Sequence, residues 1–153
     1  MPELLEVKNL SVSFVSPGRE VQAVRDVSFS LKTGEVLAIV GESGCGKSVL
    51  CRSILKLLPR SAQIKSGSIL VNGADITGYG EREMCKLRGR LFSMVFQDPL
   101  TALNPTMTVG RQLEEAVRIH QPDLRRDQLR NGVLELLALV GLPRPEACRK
   151  LYP

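Results

Sequence analysis

The residues best suited to chemistry form one glycine-rich loop, Gly41 to Ser48, with the sequence GESGCGKS. It matches the pattern G-x-x-x-x-G-K-[ST], in which successive backbone N–H groups point into one concavity that favours a triphosphate. Lys47 is expected to reach the β- and γ-phosphates, and the Ser48 hydroxyl is expected to bind Mg²⁺. The backbone freedom that this curl needs is expected from the three glycines of the loop, Gly41, Gly44 and Gly46.

The segments on either side of the loop predict the elements that position it. Val36 to Val40 is an unbroken apolar run, which favours a strand buried on both faces, as in a parallel sheet. After the loop, apolar residues recur at helical spacing as far as Leu58, and Pro59 ends the pattern. The order of strand, glycine loop and helix is the one that a phosphate-binding loop requires.

Composition restricts the remaining possibilities. At 153 residues, with 24% charged and 43% hydrophobic residues, the chain is typical of one soluble globular domain. The net charge of +5 with only four Phe, two Tyr and no Trp favours a solvated basic surface over a nucleic-acid interface. An anionic nucleotide or an acidic membrane surface would suit that charge equally well. The four cysteines form no C-x-x-C pair, so neither a zinc site nor a disulfide framework is predicted, and a reducing cytosol is expected.

The rest of the chain indicates an α/β fold. Residues 4–15 and 21–31 alternate in hydrophobicity and predict an antiparallel β layer before the loop. Further strands are predicted at residues 67–71 and 91–96, the first followed by the hairpin signal Asn72-Gly73. A short polar helix is expected at residues 81–88.

A helical section is predicted to follow this α/β part. Thr108 can cap a helix from Val109 to about His120. A second helix, from Arg125 to Val140, is expected to end at Gly141 and to place five apolar residues on one face: Leu129, Val133, Leu136, Leu137 and Val140.

Taken together, these motifs resemble the ATP-binding subunit of an ABC transporter, a P-loop NTPase, over essentially the whole chain. Besides the loop, the likeness rests on VFQDP at residues 95–99, whose glutamine, Gln97, resembles the Q-loop. The string FQDPLTALNPTMTVGRQ is similar to the branch that imports oligopeptides, dipeptides or nickel. The resemblance implies an incomplete ATP-binding domain, with the β layer and P-loop core in residues 1–97 and the Q-loop and part of a helical subdomain in residues 98–153.

The resemblance also implies roles for individual residues. Phe14 matches the aromatic position that stacks on adenine, although the alternation of its strand equally predicts a core residue. Gln97 would contact Mg²⁺ or the attacking water, and with Lys47 it is the expected catalytic pair. Val49 stands where many relatives carry a second hydroxyl, so only its backbone N–H is expected to contact phosphate. The expected nucleotide contacts are Phe14, Gly41, Ser43, Gly44, Cys45, Gly46, Lys47, Ser48 and Val49.

The implied function is to drive peptide or nickel uptake by binding and hydrolysing ATP. The expected partners are transmembrane permease subunits, a second ATP-binding subunit and, indirectly, an extracytoplasmic solute-binding protein, and the implied location is peripheral, on the cytoplasmic face of the inner membrane. The signature motif, Walker B acid and switch histidine of the family are absent, and His120 is expected to be a surface residue. This chain alone is therefore predicted not to hydrolyse ATP. The alternatives are a non-catalytic nucleotide-binding fragment and a soluble ABC-type ATPase that acts on nucleic acid.

Overall fold

The computed structural model describes residues 3–97 and 102–153. The chain divides into two compact units, residues 1–92 and residues 93–153. The functional subdivision expected from the sequence, a P-loop core followed by a Q-loop and helical part, stays a prediction.

A four-stranded antiparallel sheet forms the first unit together with two short helices. The strands are β1 (Glu3–Ser16), β2 (Arg19–Lys32), β3 (Ala62–Val71) and β4 (Ala74–Asp75), in the spatial order β2-β1-β3-β4. β1 pairs with both β2 and β3 and is therefore the central strand of the longer three. The predicted β layer is confirmed, and β3 begins earlier than its predicted start at residue 67.

The predicted hairpin turn between β3 and β4 is also present. Asn72 and Gly73 both have positive φ, at 48° and 78°. Two successive residues of this kind form the turn that matches the right-handed twist of paired strands. Asp75 then accepts a hydrogen bond from the Thr77 backbone N–H at 2.8 Å, and its pKa is lowered chiefly by hydrogen bonds from the Thr77 side chain and backbone.

Helices α1 (Lys47–Ile54) and α2 (Glu81–Leu87) supply the other part of the first core. That core contains Leu10 and Ile69 from the sheet, Leu50 from α1 and Met84 from α2. Although α1 was expected to continue to Leu58, it ends at Ile54. The chain leaves the helix there because Lys56 adopts a positive φ of 51°.

Arg88 holds the C-terminal end of α1. Its guanidinium donates to the carbonyl oxygens of Leu55 at 3.0 Å and Lys56 at 3.1 Å, and it forms an ion pair with Glu81. Cations stabilise a helix C-terminus because the last carbonyls there lack partners within the helix. Arg88, which directly follows α2, thereby connects α2 to the C-terminal end of α1.

Two of the strand predictions are wrong. Val36 to Val40 has no regular secondary structure, and the side chains of Val36 and Val40 are 93% and 91% exposed. Residues 91–96 contain only an isolated bridge between Arg88 and Phe92. A strand needs a neighbouring strand to bond its backbone, and hydrophobicity alone supplies none. Among the described residues, the sheet is built from other segments.

The second unit is helical, as predicted. It contains α3 (Val109–His120), α4 (Arg126–Leu139) and α5 (Pro145–Cys148). Thr108 caps α3 by accepting a bond from the Arg111 N–H, and Gly141, with φ of 75°, lies just after the end of α4. Within the described part of the chain, no helix is long and apolar enough to span a bilayer.

The predicted apolar face of α4 is only partly buried. Leu129, Val133 and Leu137 lie in the interior. By contrast, Leu136 and Val140, which were assigned to the same face, are exposed. Positions 129, 133 and 137 follow a strict four-residue step, so the stripe that packs is narrower than the sequence pattern indicated.

Candidate phosphate-binding site

The curl of the glycine loop depends on two glycines with positive φ. Gly44 has φ of 81° and Gly46 has φ of 97°, a region that costs residues with a Cβ about 1–2 kcal/mol. Gly46 is also packed against β2, since a Cβ there would lie 2.3 Å from the Ala23 carbonyl oxygen. Strand β2 therefore limits where the loop can lie, a constraint that no sequence motif indicated.

Gly41 differs from the other two glycines of the loop. Its φ is not positive, so the curl does not depend on its backbone freedom. A Cβ at this position would instead lie 2.8 Å from the Cys45 Sγ. The absence of a side chain lets the exposed thiol of Cys45 fold back over the start of the loop.

The ammonium group of Lys47 lies inside the curl. Its Nζ donates to the carbonyl oxygens of Gly41 at 2.7 Å and Glu42 at 2.6 Å, and it lies 3.5 Å from the Cys45 Sγ. The positive charge is thus held by neutral groups of the loop itself. An anion that entered the curl would meet this ammonium without having to displace a carboxylate from it.

The N-terminus of α1 opens into the same loop. Its N-cap is Gly46, no side chain caps the helix and its first turn carries no acidic residue. The N–H groups of the first turn lack partners within the helix, and together with the helix dipole they favour an anion. Ser48 is exposed, and its hydroxyl is the group suited to a divalent cation beside a bound phosphate.

The remaining predicted loop contacts divide into exposed and packed groups. Ser43 is exposed in the turn of the loop. The Val49 side chain packs against the core of the first unit. Only its backbone N–H is therefore left for the phosphate contact that was expected. The loop, its lysine and the helix start are therefore brought together by the fold of a single unit.

Phe14 lies in β1, in the same unit as the loop. It pairs with Val21 on β2 and Ala62 on β3, and it is half-buried. The buried core cluster of the described residues does not include it. Part of the side chain is therefore exposed, and its contact with adenine stays a prediction.

Gln97 lies in the second unit, in an exposed stretch without regular structure. Its predicted approach to Lys47 stays a prediction. Asp98 and Pro99, which complete the Q-loop resemblance, lie outside the described residues. Among the described residues there is no cluster of three His, Cys, Asp or Glu side chains that could hold a metal. The Ser48 hydroxyl and Gln97 therefore stay the side chains expected to contact Mg²⁺.

Comparison with known proteins agrees with this geometry. The family model described as ABC transporter matches residues 24–149, which include the whole glycine loop and most of the helical unit. The chain belongs to the ABC transporter family. The recognition made from the glycine loop and the VFQDP string is confirmed.

Two relatives of this ABC chain come from Bacillus subtilis (strain 168). The dipeptide transport ATP-binding protein DppD is 51% identical over 100% of the chain and 46% of the relative. The oligopeptide transport ATP-binding protein OppD is 48% identical over 98% of the chain and 42% of the relative. The chain thus spans less than half the length of these relatives. Both names describe ATP-binding proteins, and nucleotide binding is what the family assignment supports.

Solved structures confirm the fold class. The dimeric post-hydrolysis ATP-binding cassette MJ0796, bound to ADP and Pi, superposes with a TM-score of 0.78 at 21% identity, covering 97% of this chain and 61% of the other. CbiO1 from Clostridium perfringens, part of the ABC transporter complex cbiONQ, has a TM-score of 0.69 at 26% identity and covers 99% and 55%. The α/β ABC ATPase architecture with an antiparallel β layer is therefore established for the ABC chain.

Proposed function

We propose that this chain is the ATP-binding part of an energy-coupling subunit of a peptide importer. The observation that carries the proposal is the Gly41–Ser48 curl, which holds the Lys47 ammonium on its own carbonyl groups beside a helix start without a side-chain cap. The names of the similar proteins, which refer to dipeptide and oligopeptide transport, favour peptides as the imported class. They favour this role over an ATPase that acts on nucleic acid.

The residues of the loop would act mainly by binding and orientation. The phosphate chain would lie over the N–H groups of the loop and of the first turn of α1, where Lys47 would exchange its carbonyl partners for phosphate oxygens. Ser48 and Gln97 would hold Mg²⁺, which would neutralise charge on the β- and γ-phosphates. Phe14 would stack on adenine, a contact of about 1–3 kcal/mol if it resembles other base–aromatic stacks.

The wider assembly follows from the proposed role. Permease subunits in the inner membrane would bind the chain on the cytoplasmic face, and a solute-binding protein would deliver peptide from outside. A second ATP-binding subunit would complete the transporter, and the dimeric form of MJ0796 supports a paired arrangement. Hydrolysis would belong to the complete, paired subunits.

Replacement of Lys47 by alanine tests the proposal. We expect Lys47→Ala to weaken binding of ATP roughly tenfold to a hundredfold, since charge-assisted hydrogen bonds contribute about 1.5–3 kcal/mol. Binding is measured by titration calorimetry with Mg²⁺-ATP. In the assembled transporter, the same variant should abolish ATP-driven peptide uptake and leave permease assembly intact.

Lys86→Ala is the matched control, because Lys86 is an exposed lysine on α2, away from the glycine loop in the sequence. It should bind ATP like the unmodified chain. Equal ATP affinity and uptake in the Lys47→Ala variant and this control would refute the proposed function.

A further inference from the structure

The loop just before α3 is exposed but heavily bonded. Residues 102–106 are exposed to solvent. Even so, Asn104 binds its neighbours through both side chain and backbone: its Oδ1 accepts from the Thr106 N–H at 2.9 Å and the Thr106 hydroxyl at 2.8 Å, and its carbonyl accepts from the Met107 N–H at 3.2 Å. These bonds give the polar groups of an exposed loop partners within the chain, and they restrict the paths that its backbone can take.

The side chain of Gln112 attaches this loop to α3. Its Oε1 accepts from the Asn104 N–H at 2.8 Å, while its Nε2 donates to the carbonyls of Asn104 and Met107, both at 2.9 Å. The amide thus bonds the N–H and the C=O of the same residue, as a neighbouring β-strand would. A single side chain on the first turn of the helix fixes the path of the loop that precedes it.

Helix α3 is itself anchored where Gln112 projects. The N–H groups of Val109 and Gly110 donate to the carbonyls of Leu151 and Arg149, each at 2.9 Å. Glu114 on the same helix forms an ion pair with Arg149 at 2.9 Å. The loop, the start of α3 and residues 149–151 are consequently held together as one body within the second unit.

We propose that Gln112 is a positioning residue for ATP-driven transport, which fixes the loop at residues 104–107 to α3. That loop stands between Gln97 and α3 in the sequence, and because Gln112 fixes its path, residues 104–107 and α3 move as one body during the ATP cycle. This inference rests on the proposed function, because a role in coupling has meaning only in an ATP-driven transporter.

Two variants and one control test the inference. Gln112→Ala removes all three bonds. Gln112→Glu keeps the size and the acceptor but places a carboxylate oxygen against two carbonyls, so it remains informative if the alanine variant folds poorly. Gln128→Ala is the matched control, because the Gln128 Oε1 likewise accepts a backbone bond, from the Arg125 N–H at 2.9 Å, at the start of α4.

The first measurement is hydrogen exchange of the free chain. Both Gln112 variants should exchange the amides of Asn104, Thr106 and Met107 roughly tenfold faster, the change expected for the loss of hydrogen bonds that hold a loop. Amides in the buried part of α4 should be unchanged, and Gln128→Ala should leave the loop amides as they were. Unchanged exchange at residues 104–107 in both Gln112 variants would overturn the inference.

The second measurement is peptide taken up per ATP hydrolysed in the assembled transporter. Both Gln112 variants should bind Mg²⁺-ATP within about twofold of the unmodified chain and yet lose roughly threefold or more of this ratio, whereas a purely structural role would lower both together. An unchanged ratio in variants with accelerated loop exchange would overturn the inference. If the unmodified chain bound no ATP, the proposed function would fail instead, and the exchange result would still report on the attachment of the loop.

Discussion

Two helix N-termini, those of α1 and α3, are built in opposite ways. At α1 the N-cap is Gly46, and no side chain caps the helix. At α3 the cap is Thr108, and the next two N–H groups are bonded to the carbonyls of Leu151 and Arg149. The first helix start has no side-chain cap, and in the proposed function it would receive the phosphates. The second is filled by the chain itself.

This difference explains why the two loops use different residues. The loop before α1 keeps its shape through glycines with positive φ, which contribute no side chain to the space that a phosphate would need. The loop before α3 keeps its shape through side-chain amides and hydroxyls, which occupy the polar groups of the backbone. The first loop is therefore suited to binding an anion. The second is suited to holding one backbone path in front of α3.

The largest effect is expected for a methyl group added at Gly46, the N-cap of α1. Gly46→Ala adds a Cβ 2.3 Å from the Ala23 carbonyl at a φ of 97°. Because strand backbone cannot easily move aside, the loop itself must shift, and we expect a loss of more than about 2 kcal/mol in unfolding free energy together with loss of ATP binding. Denaturant unfolding and titration with Mg²⁺-ATP measure the two.

Gly44→Ala is the control for that variant. It has the same kind of positive φ, at 81°, but nothing lies within 4 Å of the added Cβ. It should show only the conformational cost of about 1–2 kcal/mol. Equal losses in the two variants would mean that contact with β2 does not determine the position of the loop.

The second-largest effect is expected for a methyl group added at Gly110, in the first turn of α3. Gly110→Ala places a Cβ 2.0 Å from the Arg149 Cγ and 2.8 Å from its carbonyl oxygen. The added methyl should displace residues 149–151 from α3 and cost about 1–3 kcal/mol of unfolding free energy. Thermal unfolding measures this, with Gly132→Ala in α4 as the control. Nothing lies near Gly132, so alanine there should stabilise the helix by about 0.5–1 kcal/mol.

A smaller effect is expected from the cap of α3. Thr108→Ala removes the acceptor for the Arg111 N–H and should cost about 1 kcal/mol of unfolding free energy. ATP affinity should stay unchanged, because the variant alters the helix start that is filled by the chain. A fall in ATP affinity as large as that of Gly46→Ala would contradict the assignment of the two helix starts to different tasks.

The smallest effect concerns the far end of α1. The hydrogen bond from Arg88, followed by one from Cys85, lowers the pKa of Glu81 below its ordinary value of 4.5. A carboxyl with a lowered pKa stabilises the fold above that value, and this contribution is lost as the pH falls through the pKa of the folded state. Glu81→Gln should therefore be slightly less stable than the unmodified chain near pH 7, and the difference should shrink as the pH falls below 4.5. Unfolding curves across this range measure the difference, and a gap that widened in acid would contradict it.

Much of the fold could be predicted because its signals are local. Strand alternation in residues 4–31, the Asn72-Gly73 turn and the helix signals at Thr108 and Gly141 each depend on residues close together in the chain. The glycine loop is local in the same sense, so its motif indicated both its shape and its ligand class. Such features are determined by backbone sterics and short-range hydrogen bonds.

The sequence by itself therefore determined the glycine-loop motif of residues 41–48, from which phosphate binding is predicted, and most element boundaries. Only the tertiary structure decided that Val36 to Val40 is not a strand, that β2 supports Gly46, and that the Gln112 amide and residues 149–151 occupy the loop and helix start of α3. A strand, a steric limit or a long-range hydrogen bond requires a partner from elsewhere in the chain. The identity of that partner depends on how the segments fold together in space.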